Sequence, residues 1–309
     1  MLNFLISRLF SALLVILGVC GIVFLFIHLI PGDPVEVMLG ESARPADREA
    51  LRAALGLDLP LWQQLVHYFA GLVQFDLGTS LHSNRAVTEI LAERIPATVE
   101  LALASLLVAI SIALPLGTMA AVRQHSAWDR GSMVVALIGI SIPNFVLGPL
   151  MILVFALWLG WFPVSGREGF GSLILPALTL GTALASVLSR MVRASLLEVL
   201  NEDFVRTARA KGLPEGRVIW RHAVRNALLP VVTLLGLQLG VLLGGAVITE
   251  TIFSWPGIGQ LTIEAIQSRD YPLVQACVLL ISVTYVVVNA LTDMAYGWLD
   301  PRIRLGRGG

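Results

Sequence analysis

Apolar residues fall in long blocks along this chain, and polar residues are concentrated between them. At a rise of about 1.5 Å per residue, a helix needs about 20 apolar residues to cross a hydrocarbon core about 30 Å thick. Six blocks read as such spans, approximately 9–30, 97–121, 132–160, 172–189, 229–249 and 273–297, the fourth being the shortest. The pattern predicts an all-α polytopic membrane protein with six transmembrane helices. Residues 31–96, between the first two blocks, read as a small helical segment. In it, "ADREALRAALG" forms one helix stopped by Gly56. In "PLWQQLVHYFAGLV", Trp62, Leu65, Val66, Phe69, Leu72 and Val73 recur at helical spacing behind Pro60. Helices of this kind lie on a membrane surface or present a platform to an external partner, and the pattern fits both. The chain thus divides into 1–30 (N-terminus and first span), 31–96 (helical segment) and 97–309. The last is a five-helix core containing polar loops at 190–228 and 250–272.

Composition sharpens the class. Of 309 residues, 56% are hydrophobic and 14% charged, where soluble domains carry about 25% charged residues. Mean hydropathy is +0.82. Zero net charge excludes a global basic field for nucleic acid. Cys20 and Cys277 sit in separate apolar blocks and read as small apolar side chains. The five histidines have no metal-ligand spacing, so no metal is expected. The first block is too long for a signal peptide and lacks an A-x-A-like site, so it reads as a retained span. With the N-terminus cytoplasmic, inner segments carry 14 basic residues and outer segments 7, five of those in the long segment after the first span. The positive-inside rule therefore places both termini in the cytoplasm.

Enzyme signatures are missing. The chain has no phosphate loop, no H-E-x-x-H and no G-x-S-x-G. Glu100 lies near the outer end of the second span, and Asn289 and Asp293 share a face near the inner end of the sixth. No acid sits at mid-membrane to carry protons. In the fifth span, around Gln238, Gly236, Gly240 and Gly244 repeat every four residues and permit close helix approach. In the third, "SIPNF" brings Ser141, a kinking Pro143 and the Asn144 amide to membrane depth. These seven residues are candidates for helix packing or a translocation path. Pro115 and Pro176 are possible breaks in two further spans.

The densest charge lies in the loop from Arg190 to Leu228, with eight bases against four acids and the only lysine, Lys211. Asn201 reads as a helix cap, with Glu202 and Asp203 in the first turn. Gly212 supplies a left-handed C-terminal residue, and Pro214 starts a second helix. Thr207, Ala208 and Ala210 give the first helix a small-residue surface fit for a groove, with Arg206, Arg209 and Lys211 beside it for acidic partners. Ile219, Ala223, Ala227 and Pro230 form a stripe leading back into the fifth span. Charge alone fits orientation and lipid headgroups equally well. Orientation, however, does not need a helix–Gly–Pro–helix design.

"RTARAKG" with "RNALLP" resembles the cytoplasmic coupling loop of ABC importer permeases. Aligned on Gly212, the general Glu-Ala-Ala…Gly pattern has Arg206 and Thr207 where Glu and Ala stand, and keeps Ala208. This is the variant of permeases for dipeptides, oligopeptides, glutathione and nickel. "HLIPGDP", "GLDLPLWQQ", "DLGTSL", "GISIPNF", "GWFPVSG", "LPALTLG", "ETIFSWPGIGQL", "RDYP" and "DPRIRL" follow in the order of that class. The resemblance covers nearly the whole chain.

The resemblance implies the type I importer fold and the first permease subunit of a pair, in a bacterial inner membrane. Its partners would be a homologous second permease, two ATPase subunits that hold ATP and Mg, and an external binding protein. This chain would bind no cofactor itself. Asp203–Gly212 would be the coupling helix, with Arg225, Asn226 and Pro230 leading to the fifth span. Trp62, Glu250, Trp255 and Asp270 are candidate binding-protein contacts. Peptide is the expected substrate, with glutathione or nickel the alternative. A membrane enzyme would act without ATPase partners, and a secondary transporter would run on an ion gradient.

Overall fold

The computed structural model describes residues 2–29, 34–39, 44–54, 56–244 and 246–299. The middle of "HLIPGDP", all of "DPRIRL" and the side chain of Asp293 lie outside the described residues. The described chain is helical, and its only β feature is an isolated bridge between Thr79 and Ala86. In order, the helices are α1 Leu2–Leu29, α2 Pro34–Leu39, α3 Pro45–Ala54, α4 Leu61–Val73, α5 Val87–Val122, α6 Ala127–Ser141, α7 Asn144–Met151, α8 Phe170–Leu200, α9 Asp203–Ala210, α10 Glu215–Arg217, α11 Val224–Leu243, α12 Val247–Ile252, α13 Ile258–Gln267 and α14 Tyr271–Leu299. Wider π-helical turns continue α7 to Trp158 and join α10 to α11.

Four of these rods are long and apolar enough to cross a membrane: α5, α8, the continuous Glu215–Leu243 rod and α14. The α6–α7 pair makes a fifth, and α1 is apolar over Phe10–Leu25 within its 28 residues. The third span is not one kinked rod over 132–160. It starts at Ala127 and turns through 98° between Ser141 and Asn144. Pro143 is the residue before α7 and holds extended backbone there; its ring disfavours helix at Ile142 and removes a donor. Pro115 and Pro176, by contrast, sit inside unbroken helices. The fourth span is not short either. α8 runs 31 residues to Leu200 and carries Arg190 and Arg193 on its last turns, which shortens the loop. α5 begins at Val87, ten residues before the apolar block.

The centre of the fold is the contact between α5 and α8. Ser105, Ala109, Ala113, Gly117 and Ala121 recur every four residues on α5, all buried. Ala177, Gly181, Ala185 and Ser189 do the same on α8. A Cβ on Gly181 would lie 2.6 Å from Val108 and 2.8 Å from the Ser105 carbonyl oxygen; one on Gly117 would lie 2.6 Å from the Ser189 carbonyl oxygen. These contacts pair early α5 with early α8 and late with late, so the two helices run parallel. The chain between them must then return to its starting end, and α6–α7 is that return. Gly139 packs against Ser186, and Gly148 against Ile252 and Phe253. At the start of α6, the N-cap Ser126 accepts from the Asp129 amide (3.3 Å), and Asp129 accepts from the amide of His125, the residue before the cap (3.0 Å). The same buried carboxylate takes a two-pronged contact from Arg193 of α8, at 2.6 and 2.8 Å.

Gly236 faces Thr292, Gly240 faces Tyr285 and Val288, and Gly244 faces Ile281. These three glycines seat α11 antiparallel on α14, the packing use of that repeat. At the end of the molecule away from α9, two buried carboxylates tie the short helices to the long ones. Glu250 accepts from Thr98 Oγ1 and the Gln260 amide, both at 3.0 Å, while Thr98 accepts from the Ile258 amide at 2.8 Å. Trp255 Nε1 donates to the Ala97 carbonyl at 2.8 Å. Any Cβ on Gly257 would overlap the Glu250 carboxylate, and one on Gly259 would crowd it. The glycines of "WPGIG" are thus the volume this carboxylate occupies. Asp270 accepts from Ser80 Oγ (2.5 Å) and the Leu81 amide (3.1 Å), pinning "DLGTSL" to the start of α14.

Trp255→Ala should lower stability by about 3–5 kcal/mol, the range for emptying a buried aromatic site. Exposed Trp220→Ala should stay within about 0.5 kcal/mol. Thermal unfolding in detergent compares the two. Asp129→Ala leaves the Arg193 charge unpaired and should cost about 3 kcal/mol. The Asp129→Ala/Arg193→Ala double variant should recover about 1 kcal/mol or more relative to the sum of the singles. Additive losses would show that the pair is not coupled.

Candidate functional site

The polar loop is a compact helix-turn-helix, built by its apolar residues. Asn201 does not cap α9. It closes α8, donating from Nδ2 to the Leu197 carbonyl at 3.0 Å, and Glu202 takes the cap position through its backbone. The shift follows from the length of α8, which still needs Asn201 for its own C-terminus. α9 then places Val205 and Ala208 inward. They bury against Ala121 of α5, Leu196 of α8, Val218, Ile219 and Ala223 of the π turn, and Val224 and Ala227 of α11. Residues from four segments share this one apolar patch, so α9 is fixed to the ends of α5 and α8. The Ile219–Ala223–Ala227 stripe is buried as its spacing predicts, and Pro230 is exposed on α11.

Gly212 has φ +73°, a conformation that costs an L-residue about 1–2 kcal/mol. Its amide donates to the Arg209 carbonyl at 2.9 Å. Nothing lies within 4 Å of where a Cβ would stand. The turn is therefore open on its outer side.

The bases divide by role. Arg209 Nη2 donates to Glu215 Oε1 at 2.7 Å and Nε to both carboxylate oxygens at 3.2 Å, bracing α9 to α10 across the glycine turn. Hydrogen bonding to Glu215 raises the Arg209 guanidinium above its ordinary range. Arg193 is committed to Asp129. Arg206, 72% exposed, makes only a loose 3.3 Å contact to Asp203, itself 93% exposed. Among the described residues Lys211, Arg217, Arg221 and Arg225 have no carboxylate within ion-pair distance, and all are exposed. Thr207 Oγ1 donates to the Asp203 carbonyl at 2.9 Å, Ala210 is exposed, and Asn226 donates to the His222 carbonyl at 2.9 Å. The outward face is thus Asp203, Arg206, Thr207, Ala210, Lys211 and Gly212, joined by half-exposed Phe204, which the spacing analysis does not single out.

The other candidates scatter. Ser141 is exposed at the α6–α7 bend and donates to Leu137; Asn144 begins α7 half-buried, and Gln238 is half-buried on α11. Glu250, Trp255 and Asp270 are enclosed, with at most 1% of their surface exposed. They are structural ties and present nothing to an external protein. Burial pushes the Glu250 carboxyl above the usual carboxylate range. Of that set only Trp62 is at the surface, 65% exposed. Glu100, in the first half of α5, pairs with Arg167 at 2.6 Å.

The comparisons with known proteins agree with this architecture. Residues 113–305 match the family described as binding-protein-dependent transport system inner membrane component, and residues 1–102 match its N-terminal membrane component. The chain is 44% identical over 304 residues to a glutathione transport system permease protein of Escherichia coli strain K12, covering 98% of this chain and 99% of that protein. The corresponding Pectobacterium atrosepticum protein is 45% identical over the same length. Among solved structures, an inward-facing MetNI methionine ABC transporter chain superposes with a TM-score of 0.56 at 20% identity, covering 69% of this chain and 97% of that one. An amino acid ABC transporter gives 0.51 at 14% identity, covering 70% and 94%. Both carry the fold alone. The chain belongs to the family of binding-protein-dependent transport system inner membrane components: it is a multi-pass inner-membrane permease subunit of an ABC importer, a pore component and not an enzyme.

Proposed function

We propose that this chain is the first permease subunit of a glutathione importer, and that its α9–α10 loop receives the motion of an ATPase subunit on the cytoplasmic side. A homologous second permease completes the translocation path. Two ATPase subunits bind ATP and Mg, and a binding protein delivers substrate on the opposite face. Both termini lie in the cytoplasm, as the excess of basic residues on that side supports.

The observation that carries the coupling role is the two-sidedness of α9. Its inner face joins the ends of α5, α8 and the α10–α11 rod in one apolar patch. Its outer face offers charges that this chain leaves largely unpaired. A push on α9 therefore reaches three spanning rods at once. Differential binding of two ATPase arrangements biases the path between inward- and outward-open states.

Glutathione replaces a generic peptide as the assigned substrate. The support is the full-length likeness to permeases named for glutathione transport. The alternative reading, glutathione, thus stands ahead of the dipeptide or oligopeptide first expected.

Lys211→Glu, Arg206→Glu and Gly212→Trp should each abolish ATP turnover stimulated by the loaded binding protein. The first two should leave stability within about 0.5 kcal/mol, because both side chains are exposed and Arg206 makes only the loose contact to Asp203. Gly212→Ala, which adds backbone strain but almost no bulk, should retain most of the stimulation. Full stimulation in all three bulky or reversed variants would overturn the coupling role. Substrate is read separately in proteoliposomes: ATP-dependent uptake of glutathione should exceed that of an unmodified dipeptide. Dipeptide uptake without glutathione uptake would overturn the substrate and leave the importer intact.

A further inference from the structure

α4 leaves one apolar face uncovered. On a helical wheel, Trp62, Val66, Phe69, Ala70 and Val73 fall on one face. That face points away from the protein: Trp62 is 65% exposed, Val66 58% and Val73 80%, and Phe75 just beyond the helix is 88% exposed. The polar side chains Gln64 and Tyr68 turn inward and line a 540 Å³ cavity shared with His28 and Tyr271. α4 carries no formal charge over its 13 residues. An apolar strip of this length on water would be a liability.

The level of α4 is set by the spanning helices. A ring nitrogen of His28 lies 3.0 Å from Gln64 Oε1, and the rings of Phe24 and Tyr68 stack at 5.9 Å. Phe24 and His28 are one turn apart at the end of α1; Gln64 and Tyr68 are one turn apart on α4 in the reverse direction. α4 thus touches the last turns of α1 through these two side-chain pairs. His28 is also 5.9 Å from Tyr271, the first residue of α14. The exposed strip therefore sits where two spans meet the edge of the hydrocarbon.

We propose that α4 is an interfacial helix whose Trp62–Val66–Val73 face, extended by Phe75, is seated in the headgroup–acyl boundary of the bilayer. Trp62 is then an aromatic anchor at the lipid interface and not a contact for the binding protein. A soluble protein that docks and departs each cycle is met by a more polar surface, whereas Trp62, Val66 and Val73 follow one another on a helix that carries no acidic residue in its first turn and no basic residue in its last. The occupant is lipid, at the depth of about 5–10 Å typical of surface helices.

Spin labels at Val66→Cys and, separately, Val73→Cys test the proposal in the assembled importer, reconstituted in vesicles of phosphatidylethanolamine and phosphatidylglycerol. The native cysteines are buried, and the parent protein reports their background labelling. Both sites should be open to oxygen and closed to a nickel chelate. Their oxygen-to-chelate ratio should be several-fold above that of exposed Glu49→Cys on α3, and unchanged by the binding protein. Chelate access equal to that at position 49, or protection that arises only when the binding protein is added, would overturn the proposal. The second outcome would identify a docking platform. Either label site suffices if the other variant fails to assemble.

Discussion

Two rows of small side chains set the distance between α5 and α8, and the other helices are placed by that contact. Inside a bilayer no hydrophobic force drives helices together, so close backbone approach and van der Waals contact carry the association. Ser105, Ala109, Ala113 and Gly117 on one rod face Ala177, Gly181, Ala185 and Ser189 on the other. Because the two rods are parallel, α6–α7 has to cross back between them, and it does so despite a 98° bend. Gly139 and the Asp129–Arg193 pair hold that return path to α8. The α9–α10 loop then seats on the ends of the same two rods. The loop is thus joined to the central pair and to the α10–α11 rod in one apolar patch.

The two ends of the molecule are held by different physics. At the α9 end the loop is seated by an apolar patch, with the Asp129–Arg193 pair beside it and the remaining charge facing outward. At the other end two carboxylates, Glu250 and Asp270, are taken out of water and given backbone and hydroxyl donors in its place. A buried carboxylate without such partners would cost several kcal/mol. Satisfied, it specifies one arrangement of α12, α13 and the start of α14, because hydrogen bonds are directional where apolar contacts are not. The end expected to meet a binding protein is thus rigidly keyed. The end expected to meet an ATPase is a smooth apolar joint on which a lever can turn.

The legible parts of the sequence were those governed by local rules. Block length located the spans, Gly212 and Gly56 marked helix stops that both show positive φ, and the Ile219–Ala223–Ala227 stripe followed from helical period. The four-residue glycine repeat of α11 reads as a close-approach face, and only the structure names α14 as the neighbour. Where local rules competed, the reading slipped. Asn201 has a good capping side chain, but it was claimed by α8. Arg209 looks like its neighbours Arg206 and Lys211 in one dimension, yet only it faces Glu215 across the turn. Trp255 and Glu250 looked like surface recognition residues because they stand in a polar loop. Only folding reveals that the loop tucks Trp255 beneath Ala97 and wraps two glycines around Glu250.

The sequence by itself determined the membrane class, the apolar helical blocks and the position of the Gly212 turn. Each depends on residues within a few turns of one another, where hydrophobicity, propensity and backbone conformation act. The tertiary structure decided which prolines bend and which do not, which charges are spent on internal pairs, and which apolar strip is left without a protein neighbour. Those outcomes depend on contacts such as Asp129 with Arg193, Thr98 with Glu250 and Ser80 with Asp270. They join positions 64 to 190 residues apart, and no local pattern in the chain encodes them.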